Sequence, residues 1–227
     1  KRTQPAGAAQ AFSFVAGYGS FELRDGERNT SAYLAPGTYA VTETPVADWS
    51  PVEVTCDDGS QPGAIELSAG ETVTCVFVNA RLALSISKTP TPAAVTAPGG
   101  DVSFGVQITN SGSAAVTLNA LSDSAFGNVA DSDNPALIGT TCALPRLLEP
   151  GAGYSCAFTA RVNGTAGSVH SNTLTVTGAG TGNSPVSVSA SATVNILAPP
   201  PGRIIVSKQT VPANTPGTFQ FTATYGT

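Results

Sequence analysis

The sequence predicts an all-β chain of two tandem β-sandwich domains, Ig-like or prealbumin-like, and three observations carry that prediction. Only 11% of the 227 residues are charged, while Gly (24) and Pro (17) are abundant beside Ser, Thr, Ala and Val. Such a mix favours strands joined by tight turns over helices. No window of a dozen residues keeps a helical period between turn formers, whereas period-two alternation recurs along the chain. The length allows two ordinary domains, each able to bury a real core.

The first unit spans 1–80. Its strand-like segments are AFSFVAGY, SFELRD, GTYAVTETP, VEVTC, AIELS and TVTCVFVN, with DGE and DDGS supplying turn chemistry. Trp49 and Tyr39 are expected to pack its core. The second unit, 81–197, reads as LALSISK, DVSFGVQITN, AVTLNALSD, a turn-rich stretch from Ser122 to Thr141, YSCAFTARV, NTLTVTG and VSVSASATVNI. APPPG at 198–202 is a stiff Pro-rich linker.

Residues 203–227 read as the first strands of another copy of the first unit. KRTQPAGAAQAFSFVAGYGS at 1–20 and KQTVPANTPGTFQFTATYGT at 208–227 align without a gap, with nine of twenty positions identical. The chain therefore reads as slightly more than one period of a tandem array. Residues 203–208 would supply the opening strand of the unit that follows them, and a first unit starting at Lys1 would take that strand from a neighbour.

The net charge of -5 without any run of Lys or Arg gives no electrostatic footprint for nucleic acid or anionic lipid. No apolar run approaches the length of a membrane-spanning helix, so no membrane insertion is expected of this segment; any targeting or anchoring segment would lie outside it. Neither GxSxG nor a locally supported Ser/His/Asp pattern occurs, which leaves hydrolase activity, and turnover of any external substrate, without footing.

The four cysteines form two local pairs, Cys56 with Cys75 and Cys142 with Cys156. Strand parity turns Cys56, Cys75 and Cys156 inward. With one histidine and no CxxC spacing, no zinc and no other metal or cofactor is expected. Two intradomain disulfides in an oxidising, extracytoplasmic compartment fit better. Asp123, Asp131 and Asp133 lack EF-hand spacing and read as a solvated loop; Asp57 and Asp58 read as turn residues, and His170 as an exposed loop histidine. Asn29 and Asn163 lie in sequons on expected turns.

Three polar residues occupy the inward ends of strands. Asn79 shares the parity of Val73, Cys75 and Phe77; Glu43 follows Tyr39 and Val41; Lys208, and Lys1 by the repeat alignment, continues the face of Ile204 and Val206. A buried Lys–Glu ion pair with a hydrogen-bonded Asn is one reading, although buried pairs often fail to recover their desolvation cost. The other is chemical. Desolvation drives a lysine toward the nucleophilic neutral amine and a glutamate toward the acid, which can move a proton and assist loss of ammonia from the Asn amide. The product is an isopeptide crosslink between first and last strands.

YAVTETPVADW resembles the Y-x-v-x-E-x-x-a-P-x-G-[YW] signature of prealbumin-like B-type repeats of Gram-positive pilins and collagen adhesins, and VFVN resembles their last strand. That resemblance implies a self-generated intramolecular isopeptide bond, with Lys1 (Lys208 in the next copy) as nucleophile, Glu43 as the catalytic proton shuttle and Asn79 as electrophile. Val46, Ala47 and Asp48 depart from the signature, which has Ala-Pro-x-Gly there. SISKTPTPAAVTAPGGDVSFGVQITNSGSAAVTL resembles the immunoglobulin-like conserved repeat domains of bacterial surface proteins and implies a spacer. In that unit Lys88 also faces inward, but Asn195 of the closing strand has outward parity and no acid sits in a matching position. No crosslink is expected there.

The function these readings imply is structural: a tandem-repeat unit of an extracellular, secreted or surface-displayed bacterial fibre or stalk, its partners being neighbouring copies head to tail. An adhesin module gripping a host or matrix ligand, and a fibre subunit polymerising by strand donation, are the alternatives.

Overall fold

The computed structural model describes residues 1–211 and 216–222. It is all-β, with one 3-10 turn at Thr181–Asn183. Among these residues no helix is long and apolar enough to cross a membrane.

The N-terminal sandwich faces one three-stranded sheet against another. In the first sheet β8 (Cys75–Arg81) lies between β1 (Arg2–Gln4) and β6 (Trp49–Cys56); in the second, β2 (Phe12–Ala16) lies between β3 (Gly19–Leu23) and β5 (Val41–Glu43). A hairpin-like pair, β4 (Gly37–Tyr39) with β7 (Ile65–Leu67), flanks them. First and last strands run parallel, with Thr3 opposite Asn79. The core is aromatic: Phe12, Phe14, Trp49 and Phe77, meeting edge to face at Phe12–Trp49 and Phe14–Phe77. Tyr39 departs from expectation. It is half-buried outside this cluster, because the expected single strand GTYAVTETP divides at Ala40 into β4 and β5, and its hydroxyl donates to the Ala35 carbonyl.

The C-terminal sandwich is larger. One sheet runs β14 (Leu137–Thr140), β16 (Gly153–Asn163), β11 (Gly99–Asn110), β9 (Leu84–Thr91). The other runs β10 (Ala94–Thr96), β18 (Pro185–Leu197), β17 (Val169–Ala179), β12 (Val116–Asp123), β13 (Gly127–Asn128), with β15 (Arg146–Leu148) also on β12. Alternating residues of β11, β16, β17 and β12, among them Phe104, Phe158, Leu174 and Leu121, fill the space between. His170 is not in a loop; it lies on β17, half-buried against the Phe126 ring.

The junction between the sandwiches is packed. β8 runs through to Arg81, and Ala80 and Leu82 are buried in the C-terminal core. Ser113 and Ala114 amides donate to the Arg81 carbonyl, Ser111 and Gly112 amides to that of Ala83, and Leu82 N–H donates to the Asp48 carbonyl at 2.8 Å. From the β17–β18 connection of the C-terminal sandwich, Gly180 closes over Leu82, and the Ser50 hydroxyl donates to the Thr181 carbonyl at 2.7 Å. A Cβ at Gly180 would fall 2.6 Å from Leu82 Cδ2 and 2.9 Å from Ser50 Oγ. Gly180→Ala is therefore expected to cost about 1–3 kcal/mol, seen as a lower urea midpoint with unchanged slope.

Residues 203–211 carry no strand, and Ile204, Ile205 and Val206 are 78%, 73% and 64% exposed. The remainder of the expected next-copy strands lies partly outside the described residues.

Candidate functional site

Three local structures deliver Lys1, Glu43 and Asn79 to one point. The Thr3 and Gly7 amides donate to the Asp25 carboxylate, each at 2.6 Å, and the Gly26 amide donates to the Lys1 carbonyl, which pins the start of β1 beside β8. Alternation along β1 then turns Lys1 and the buried Thr3 inward together. Glu43 comes from the opposite sheet, held by pairing of β5 with β2, where it lies across from Phe14. Asn79 sits on β8 between Thr3 and Pro51 and is 4% exposed.

The carboxylate bridges the other two. Glu43 Oε1 accepts from Lys1 Nζ at 2.7 Å and from Asn79 Nδ2 at 2.9 Å. The lysine side chain is fully shielded and the glutamate nearly so. The amine lies 3.9 Å from the centre of the Phe12 ring. Burial holds the Lys1 side-chain amine below the usual lysine range, outweighing the hydrogen bond and charge of Glu43 and the charge of Asp25. Asn79 Oδ1 is buried without a hydrogen-bond partner among the described residues, a state that costs about 1–3 kcal/mol in an ordinary core.

Asp48, one of the departures from the B-type signature, has φ 62°. Asp tolerates this left-handed geometry better than most side chains, which lets it make the turn into Trp49. Glu43 and Asn79 also line an open groove of about 710 Å³, walled by Val41, Trp49, Val54 and Phe77 and by residues 182–185 of the other sandwich.

The cysteines pair as Cys56–Cys75 and Cys142–Cys156. Cys56 and Cys75 are direct cross-strand partners on β6 and β8; Cys142 and Cys156 are both buried. Among the described residues no cluster of three or more His, Cys, Asp or Glu is arranged to hold a metal ion. Lys208 is exposed in this chain, its amine donating to the Gln209 carbonyl and lying 4.3 Å from the centre of the Phe219 ring.

The C-terminal sandwich corrects the expectation that no acid faces Lys88. Asp123 is 3% exposed at the inner end of β12, and Lys88 Nζ donates to its Oδ2 at 2.6 Å. Nor is Asp123 part of a solvated loop. Asn172, 1% exposed on β17, donates from Nδ2 to both Asp123 oxygens, at 2.9 and 3.0 Å. Asn195 does point outward. Asp131 is exposed and closes a local turn with the Asp133 amide.

No protein-family model and no curated protein matches the sequence. Among solved structures, two crystal structures of BcpA, the major pilin subunit of Bacillus cereus, resemble the chain. For the D312A form the TM-score is 0.41, and for the other 0.39; each is 12% identical and covers 86% of this chain and 67% of that one.

Proposed function

We propose that this chain is a load-bearing repeat of an extracellular bacterial fibre or surface stalk, closed in its N-terminal sandwich by a self-formed Lys1–Asn79 isopeptide bond. The observation that carries this reading is one shielded carboxylate oxygen holding both the amine of Lys1 and the amide nitrogen of Asn79. On this reading 1–80 is a prealbumin-like module, 81–197 an Ig-like spacer, 198–202 a stiff linker, and 203–227 the opening strands of the next copy.

The chemistry follows from the contacts. Glu43 takes a proton from the Lys1 ammonium, and the freed amine attacks Cγ of Asn79. The new N–C bond forms as the old C–N bond breaks, and the amide nitrogen, already on Glu43, leaves as ammonia after receiving a proton from the carboxyl. Of the two protons lost by the ammonium, one departs with the ammonia and the other is left on Glu43. The bond joins β1 to β8, so tension entering at one end of the sandwich leaves at the other without loading its core.

Two disulfides support an oxidising, extracytoplasmic setting. The exposed Ile204 and Val206 support pairing with a following copy, in which Lys208 would play the part of Lys1. The groove beside Glu43 favours a second reading, an adhesin module with an apolar ligand.

Intact-mass measurement tests the leading reading on a chain in which the 203–207 sequence precedes Lys1. The expected chain is one ammonia lighter at this site, with a branched peptide joining Lys1 to Asn79, and Glu43→Ala restores the full mass. Linear Lys1 and Asn79 peptides from the unaltered chain would refute it.

A further inference from the structure

Lys88, Asp123 and Asn172 reproduce, in a different arrangement of strands, each polar contact of the N-terminal triad. In both sites a carboxylate accepts from the lysine amine and from the Asn amide nitrogen. In both, the Asn Oδ1 is buried and without a partner among the described residues. The second site is the drier one: both side chains of the ion pair are fully shielded. Its amine lies 4.7 Å from the centre of the Phe104 ring and 5.6 Å from that of Phe158.

From this geometry we infer that the C-terminal sandwich forms its own isopeptide bond, between Lys88 Nζ and Asn172 Cγ, with Asp123 as the proton carrier. A purely structural ion pair would not need the amide. Asn172 contributes nothing to the Lys88 ammonium that its backbone carbonyl, 3.4 Å from Nζ, does not already offer. A structural asparagine would also be expected to satisfy its carbonyl oxygen, as Asn110 satisfies its amide with the Ala114 and Leu148 carbonyls and its oxygen with the Gly112 amide. Asp123 is fixed for its task. Its Oδ1 accepts from the Ala125 and Phe126 amides, so the carboxylate keeps its orientation while Oδ2 takes the lysine proton.

The step balances as at the first site. Lys88 gives one proton to Asp123 and attacks Cγ of Asn172. The amide nitrogen leaves as ammonia, with its third proton delivered from Asp123, and the remaining proton from lysine is left on the carboxyl. No oxidant, metal or cofactor enters.

The two bonds would act on different parts of their sandwiches. Lys1 and Asn79 belong to one sheet, with the acid reaching over from the other. At the second site acid and amide share a sheet, on neighbouring β12 and β17, and the lysine crosses from β9 in the facing sheet. The second bond would therefore staple sheet to sheet.

The test is peptide mapping of the full, reduced chain. A branched peptide joining the Lys88 segment to the Asn172 segment, one ammonia lighter than its linear parts, is expected. Asp123→Ala should return these two segments as linear peptides while leaving any Lys1–Asn79 branch intact; Glu43→Ala should do the reverse. Recovery of linear Lys88 and Asn172 peptides from the unaltered chain overturns the inference, whatever the first site does. Should Asp123→Ala fail to fold, the unaltered map alone decides, and Asn172→Ala supplies the unbranched reference.

Discussion

The double variant Lys88→Met/Asp123→Leu is expected to melt roughly 15–25 °C below the unaltered chain in its C-terminal transition, with the N-terminal transition unmoved. Replacing a buried ion pair by apolar groups of similar volume is close to neutral in itself. The larger part of the loss is the crosslink, whose closure of the chain between 88 and 172 is worth about 4–5 kcal/mol on a loop-entropy account; the rest comes from the Ala125, Phe126 and Asn172 donors that lose Asp123 as acceptor. Calorimetry of the two proteins measures it. A shift of only a few degrees would mean that the amine and amide never join. The pH dependence gives an independent readout in Asn172→Ala, where Lys88 stays free. Burial lowers its pKa from 10.5 in the folded state, while Asp123 is the charged group facing it and Phe104 and Phe158 are its other neighbours. Between the lowered value and 10.5 the unfolded chain binds more protons, so the variant gains stability as pH rises through that window. The crosslinked chain has spent that amine and shows no such slope.

The second large effect is mechanical. Pulled from its ends, the unaltered chain is expected to lengthen only by the parts of the C-terminal sandwich that lie outside the 88–172 bond. These are 81–87 and 173–197, about 32 residues, or roughly 110 Å at 3.4 Å per residue. In Asp123→Ala the whole C-terminal sandwich becomes extensible. With the 14-residue Cys142–Cys156 loop still closed, roughly 100 residues run out, about 340 Å. Single-molecule stretching distinguishes the two lengths directly, and equal steps in both proteins would contradict the second bond.

Much of the architecture was readable from alternation, because most strands bury one face. The inward placing of Glu43 and Asn79 is legible in parity, since Glu43 follows Val41 on β5 and Asn79 follows Phe77 on β8, while that of Lys1 comes from its alignment with Lys208. That of Asp123 is not legible, and the cause is local. A bulge between Leu118 and Ala120 shifts β12 by one residue, so Leu121 and Asp123 face the core although strict alternation from Val116 and Leu118 points them outward. Asn172 carries a usable signal, sharing parity with Leu174 and Val176, but it lies on the penultimate strand, whereas the crosslink of the B-type resemblance takes its Asn from the last. The short β10, β14 and β15 are not legible in the sequence because three or four residues carry no period. Packing of the 80–82 segment into both sandwiches was also invisible, being a property of surfaces that meet only after folding.

That packed junction bears on how a long array would bend. The Leu82 amide is held by the Asp48 carbonyl, the Ser50 hydroxyl by the Thr181 carbonyl, and Gly180 packs over Leu82, so bending between the two sandwiches would have to break these contacts. On the proposed tandem reading, bending would fall on the segments that join successive copies, once in every 207 residues, and the stiff proline spacer at 198–202 would restrain it there. A filament of such repeats would behave as a row of paired rods kept in line by short proline spacers.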